Sequence, residues 1–293
     1  MPSILPTPDL AENEKSGRLY VVATPIGNRE DITLRALRIL GSVDCIAAED
    51  TRKTGRLLAH YQIKKRLVSY HEHNENERSI VLLHKLQAGQ TIALVSNSGT
   101  PLISDPGYRL IQAAIENGII VTPVPGVSAA ITALSVSGLP TDSFVFLGFP
   151  VKKKEKRLKQ LKALAADPRT MIFYESPKRI TSLVQEILSL MGDRYGVLSR
   201  EMTKLFETFE RGLLSELLLT LKDRPLLKGE CTLLIMGYTQ DPDADFESIQ
   251  SEIRRQLKQP GESLSALTKR LAEKHHLPRK RIYQAALTIR RNT

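Results

Sequence analysis

The chain has 293 residues, 41% of them hydrophobic and 25% charged, enough to bury a proper core and too many for one small domain. Its 42 Lys and Arg against 32 Asp and Glu leave a formal charge of +10, which favours a polyanionic partner. No apolar run approaches the roughly 20 residues of a membrane span, which excludes a spanning helix.

In chain order, residues 1–16 carry no signal-peptide pattern and read as a disordered leader of a cytoplasmic protein with no membrane partner. Over 17–124, β-branched runs RLYVVAT, VDCIAAED, RLVSYH, TIALVS and IIVTPV alternate with helix-period segments near 31–40, 52–60, 74–88 and 107–117. Strand, helix, strand order predicts an α/β domain on a mainly parallel sheet. The first of these helices starts at Thr33 to Ala36 and is expected to stop at Gly41. After PVPG the pattern restarts with a small-residue helix, VSAAITALSVSG. The strands SFVFLGFP, TMIFYES, YGVLSRE and ECTLLIMGY follow, giving a second α/β domain over 125–240. A polar linker, TQDPDADFES, leads into a basic tail, 245–293, with helices near 246–258, 263–274 and 279–290. That tail reads equally as a helix-turn-helix RNA-binding module or as a helical cap on the second domain. Cys45 and Cys231 sit singly inside apolar strands, as buried free thiols do.

Ligands of a parallel sheet gather beyond the carboxyl ends of its strands. Three loops in that position are rich in Gly and Pro: ATPIGNRED (23–31), SNSGTPLISDPG (96–107) and PVPGVSAA (123–130). Together they predict a ligand cradle, because glycine lets a backbone approach closely and proline fixes the turn around it. No G-x-x-x-x-G-K-[ST] occurs and no G-x-G-x-x-G follows the first strand, so ATP-loop and dinucleotide readings lose ground. Glu49, Asp50 and Asp105 are candidate bases or structural caps, with Lys53 and Arg52 as cationic partners. Excess charge clusters at 152–162, where Lys152, Lys153 and Lys154 stand, and at 269–291, where Arg279, Lys280 and Arg281 stand. Arg52, Lys178 and Arg179 could also meet RNA phosphate. His71 and His73 in HEHNE lack a third metal ligand at a useful spacing, so no metal is expected and both are assigned to RNA.

Five ordered motifs carry a resemblance: LYVVATPIGNREDITLRALRIL, AAEDTRKTGRLL, SGTPLISDPGYRL, PVPGVSAAITAL and FYESPKRI, with LPRKRIYQAAL near the end. They resemble the tetrapyrrole-methylase-like superfamily of S-adenosylmethionine-dependent enzymes, and within it the branch that methylates a cytidine ribose 2′-oxygen in small-subunit ribosomal RNA. The resemblance implies two α/β domains of tetrapyrrole-methylase-like type with the cofactor in the cleft between them, plus a small helical C-terminal tail, in a homodimer. It assigns the first loop's Pro25 and Gly27 to the cleft. It also places there Asn97, Ser98, Gly99, Thr100, Pro101 and the Ile103 backbone. Gly126, Ser128 and Ala129 are expected at the methionine end, with Phe173, Tyr174, Gly229 and Glu230 around the adenine. One position departs from the branch: Asn97 stands where an aspartate is usual, keeping a hydrogen bond without the charge. Two other readings share parts of the pattern, a tetrapyrrole C-methyltransferase and a non-catalytic RNA-binding assembly factor that keeps the pocket.

Overall fold

The computed structural model describes residues 17–224, 228–239, 242–257, 264–275 and 279–291. They form two compact units, one ending at Gly237 and one beginning at Tyr238.

The first unit begins with β1 (Arg18–Val22), α1 (Leu34–Ser42), β2 (Cys45–Ala48), α2 (Thr51–His60) and β3 (Arg66–Ser69). It continues through α3 (Glu75–Gln87), β4 (Thr91–Val95), α4 (Tyr108–Glu116) and β5 (Ile120–Val124). All five strands are parallel, in the order β3-β2-β4-β1-β5. Alternation along β1 explains the layering. Tyr20 and Val22 pack with Ala36, Leu40 and Leu58 of α1 and α2, whereas Leu19 packs with Leu82, Leu86 and Leu110 of α3 and α4. Each such buried aliphatic side chain contributes roughly 1.5–3 kcal/mol of transfer free energy. Thr33 caps α1 by accepting from Ala36 N at 3.0 Å, but the helix runs past the expected Gly41 stop to Ser42. Gly41 does not adopt a positive φ there, so it ends nothing.

A short helix, α5 (Ala129–Ser135), leads to β6 (Phe144–Gly148), α6 (Lys154–Ala163), β7 (Thr170–Glu175) and α7 (Ile180–Met191). Then come β8 (Tyr195–Arg200), β9 (Thr208–Leu213), α8 (Leu214–Lys222) and β10 (Cys231–Ile235). These strands form a mixed sheet in the order β6-β7-β10-β8-β9, parallel only between β6 and β7. One face buries Met171, Phe173, Leu198 and Leu233 under α6, α7 and α8. The other buries Ile172, Val197 and Leu234 against α5 and against Ile26 from the loop after β1. That shared cluster brings the two sheets together. Cys45 and Cys231 are buried and unpaired.

The second unit holds α9 (Pro242–Leu257), α10 (Leu264–His275) and α11 (Arg279–Arg291) around Ile249, Ile253, Leu267, Leu271, Ile282 and Ala286. Residues 1–16, expected as a leader, lie outside the described residues, as do the side chains of Arg279, Lys280 and Arg281 in the first turn of α11. No helix of the described residues is long and apolar enough to cross a membrane.

Arg157 lies inside the basic 152–162 segment but is not free for a partner. It forms a two-pronged bond with Glu186 on α7, at 2.7 and 2.8 Å, and also donates to the Val151 and Lys152 carbonyls. Both side chains are nearly buried, at 13% and 12% exposure. Glu186→Ala leaves the guanidinium uncompensated and is expected to cost roughly 3 kcal/mol in denaturant unfolding. A loss below about 1 kcal/mol would show that the pair does not anchor α6.

Candidate functional site

Because β1 lies between β4 and β5, the three Gly/Pro loops emerge side by side from the carboxyl edge of the first sheet. Backbone hydrogen bonds stitch them. Thr24 N donates to Gly99 O and Gly99 N to Thr24 O, each at 2.9 Å, and Ala23 N donates to Val124 O at 3.2 Å. Thr100 Oγ1 donates to Val127 O at 3.1 Å. Gly99 sits at φ 76°, in the left-handed region. At Gly126 the need is space, since a Cβ would stand 2.8 Å from the Ala23 Cβ. Leu102 (φ 72°) and Ser104 (φ 68°) take the same left-handed conformation without glycine's freedom, a strain that clusters at functional loops.

These loops form one wall of a cleft of about 280 Å³, contributing Ile26, Ser98, Gly99, Ile103, Ser104 and Asp105. The opposite wall comes from the second sheet: Ala129 and Phe149, the run Tyr174 to Pro177, and Gly229 to Thr232. Tyr174 is the hinge of that wall. Its hydroxyl accepts from Ala130 N at 3.0 Å, and its ring meets Phe146 and Phe149 edge-on at 4.9 and 5.6 Å. Burial pushes its hydroxyl above the ordinary tyrosine range.

Of the four catalytic candidates the structure separates Asp105 from the rest. Burial, reinforced by the Glu49 carboxylate, pushes Asp105 up to about 6, against a weaker lowering by the Ser96 hydroxyl. It does not cap α4, whose cap position is Gly107. Glu49 Oε2 accepts from Asn97 N at 3.0 Å and so holds the loop. Asp50 caps α2 and binds Arg52 with both oxygens, and that partner holds its carboxyl at about 2. Lys53 is exposed on α2. Asn97 Oδ1 is buried and has no hydrogen-bond partner among the described residues.

Of the residues the sequence assigned to a cofactor, Ser98, Gly99, Ile103, Ala129, Tyr174, Gly229 and Glu230 line the cleft. Asn97, Thr100, Pro101, Gly126 and Ser128 stand in the same stitched loops. Pro25 is half-buried in the first loop, and Gly27 packs against the 202–204 turn, where a Cβ would meet Lys204 Cγ at 2.5 Å. Phe173 is a correction: it is 1% exposed in the core beneath α7, because adjacent strand residues face opposite ways and Tyr174 takes the cleft side.

The residues assigned to RNA are scattered. Lys152, Lys153, Lys154 and Lys178 are exposed. Arg179 is bound to the buried Glu175 at 2.6 Å, and Glu175 also accepts from Ser176 N. His71 leans on the Asn74 amide, with the His73 ring 6.0 Å away. Among the described residues no three His, Cys, Asp or Glu side chains stand together as a metal site. Sequence reasoning missed Ile26, Phe149 and Glu175. Strand alternation from Tyr174 points to its neighbours' sides but not to the Glu175 to Arg179 bond.

A family model described as tetrapyrrole (corrin/porphyrin) methylases matches residues 18–218. Ribosomal RNA small subunit methyltransferase I of Escherichia coli O157:H7 is 47% identical over 94% of this chain and 96% of its own length. The protein of the same name from Synechocystis sp. is 46% identical over 93% and 98%. Among solved structures, a uroporphyrin-III C-methyltransferase from Thermus thermophilus complexed with S-adenosylhomocysteine superposes with a TM-score of 0.54. It is 21% identical, over 74% of this chain and 97% of that one. Diphthine synthase superposes at 0.56 with 14% identity, over 79% and 94%.

Asp105 also makes stability depend on pH. Its carboxyl titrates near 6 in the folded chain and near 3.8 when unfolded, so between those values the folded state holds the extra proton. Stability is therefore lost as pH rises from about 4 to about 6. Asp105→Asn is expected to remove this contribution to the slope and to be more stable than the parent above pH 6. Parallel denaturant curves from pH 4 to 7 check this, and identical slopes in the two proteins would contradict it.

Proposed function

The chain belongs to the tetrapyrrole (corrin/porphyrin) methylase family, and from that premise we propose that it methylates small-subunit ribosomal RNA with S-adenosylmethionine, at the ribose 2′-oxygen of a cytidine. The near full-length likeness to small-subunit rRNA methyltransferases carries the reading. It outweighs the tetrapyrrole alternative, which rests on the broad family description and on solved structures of low identity, and the non-catalytic one.

The cleft suits the cofactor. Ile26, Phe149 and Tyr174 offer an apolar slot for adenine, and the unpartnered Asn97 Oδ1 offers an acceptor to an ammonium. Gly99, Thr100, Pro101 and Ile103 would hold one side; Gly126, Ser128, Ala129, Gly229 and Glu230 would hold the other. Bound there, S-adenosylmethionine supplies the methyl group. Asp105 serves as the base that takes the proton of the ribose hydroxyl, since a carboxylate raised to about 6 is both ionised and basic at neutral pH. Glu49 raises it and positions Asn97; Asp50, committed to Arg52, takes no part. Lys152, Lys153, Lys154 and Lys178 meet RNA phosphates near the Phe149 and Pro177 rim. Arg179 positions Glu175 instead of binding phosphate. By resemblance the enzyme works as a cytoplasmic homodimer.

Labelled methyl groups are expected to pass from S-adenosylmethionine to isolated small ribosomal subunits and to appear in digests as 2′-O-methylcytidine. Label on a base, or none in rRNA, would defeat the reading. Asp105→Asn is expected to lower kcat about 10²- to 10⁴-fold. It should also abolish the fall in kcat as pH drops through about 6, and a variant within threefold of the parent would remove Asp105 from the chemistry.

A further inference from the structure

From Thr51 to His71 the chain carries six Lys and Arg and no Asp or Glu. The fold gathers them. Along α2 the core side is Thr54 and Leu58, and the opposite arc presents Arg52, Arg56 and His60, with Lys53 beside them. Past His60, the last residue of α2, Gln62 sits at φ 55° and the chain turns into β3, an edge strand, with Lys64 and Arg66 exposed and Lys65 half-buried. Loop residue Arg29 joins this face: its guanidinium meets His60 Nδ1 at 3.3 Å, and its carbonyl accepts from the Tyr61 hydroxyl at 2.6 Å.

Asp44 and Asp50, which precede the segment, are both committed, while Glu30 and Asp31 follow Arg29 in the first loop. Asp50 is bound to Arg52, and Asp44 Oδ2 accepts from Thr91 N and Oγ1 at 2.7 and 2.8 Å. Between α2 and β3 an open groove has an apolar floor of Leu58, Ile63 and Leu67, with Lys64 and Lys65 on its lining. α2 begins two residues after Glu49, beside the cleft, and its ten residues span about 15 Å away from it.

Resting on the rRNA-methyltransferase reading, we infer that this face is a second RNA surface: a phosphate track that receives rRNA flanking the target nucleotide, with Arg56, Lys64, Lys65 and Arg66 on phosphates and the groove taking a base or sugar. A row of cations without interspersed acids is what a polyanion needs, and an apolar floor between ammonium groups suits a nucleotide that is stacked and charged at once. The track is separate from Lys152 to Lys154 on the other sheet.

The test compares the parent, Arg56→Ala/Lys64→Ala/Lys65→Ala, the same positions changed to Gln, and Lys222→Ala at the exposed end of α8. Each is titrated with S-adenosylhomocysteine, assayed for methyl transfer to small subunits, and measured for binding to deproteinised small-subunit rRNA across a salt series. Both triple variants should keep the parent's kcat and S-adenosylhomocysteine affinity, with KM for subunits raised at least tenfold. The slope of log binding constant against log salt should fall by about 2 to 3, from roughly 0.7–0.9 for each lost phosphate contact. Lys222→Ala should match the parent. Unchanged KM and slope in the Gln variant would overturn the track, whatever the Ala variant does. Weakened binding to intact subunits but not to deproteinised rRNA would overturn it too, assigning the face to a ribosomal protein. Absence of methyl transfer by the parent would instead defeat the functional reading on which the track rests.

Discussion

With β1 hydrogen-bonded between β4 and β5, the loops leaving all three strands have nowhere to go but beside one another, and the paired bonds between Thr24 and Gly99 tie the first two together. Most features of the cleft depend on that tie. It holds Ile26 out of the first sheet and into the apolar cluster of the second, with Ala130, Leu134, Ile172 and Leu234. It also sets the turn from which Leu102 and Ser104 enter the left-handed region and Asp105 enters the wall. Backbone partners satisfied within the protein need no ligand to order them, so the cradle is built before anything binds, which lowers the cost of binding.

Electrostatics then divides like residues between unlike tasks. Asp50 and Asp105 are both loop aspartates at the carboxyl edge of one sheet. One is solvent-accessible and gripped by Arg52, and titrates near 2; the other is shielded, faces Glu49, and titrates near 6. Their environments suit the first to a structural role and the second to the proton chemistry proposed for it. Glu175 follows the same logic in reverse. Buried at 4% exposure in the cleft wall, it stays tolerable because Arg179 and the Ser176 amide satisfy it, which leaves Arg179 out of the cations proposed to meet RNA.

Much of this was legible in the chain. The strands of the parallel sheet are short β-branched runs bounded by Gly, Pro and Asn, and each loop beyond them announced itself by composition. Local pattern was less help where long-range contacts decide. β9 (TFERGL) is an edge strand with two charges and two small or polar positions, and only its pairing with β8 makes it a strand. Phe173 and Tyr174 are equally aromatic, and the sheet's pleat alone sends the first into the core and the second into the cleft. Phe149 and Gly229 come together across 80 residues of sequence, a proximity no local pattern encodes. Lys152 to Lys154 and Arg157 look alike in a charge count, yet Arg157 spends its charge on Glu186.

The Thr24 to Gly99 tie preforms the cleft proposed for the methyl donor, and a calorimetric titration tests this directly. Gly99→Val places a β-branched residue at φ 76°, where its Cβ would meet nothing nearer than Ile26 Cγ2 at 3.5 Å but its backbone is strained. The parent is expected to bind S-adenosylhomocysteine one to one, and Gly99→Val to bind it at least tenfold more weakly while still unfolding in a single cooperative transition. Equal affinity in the two proteins would contradict the account.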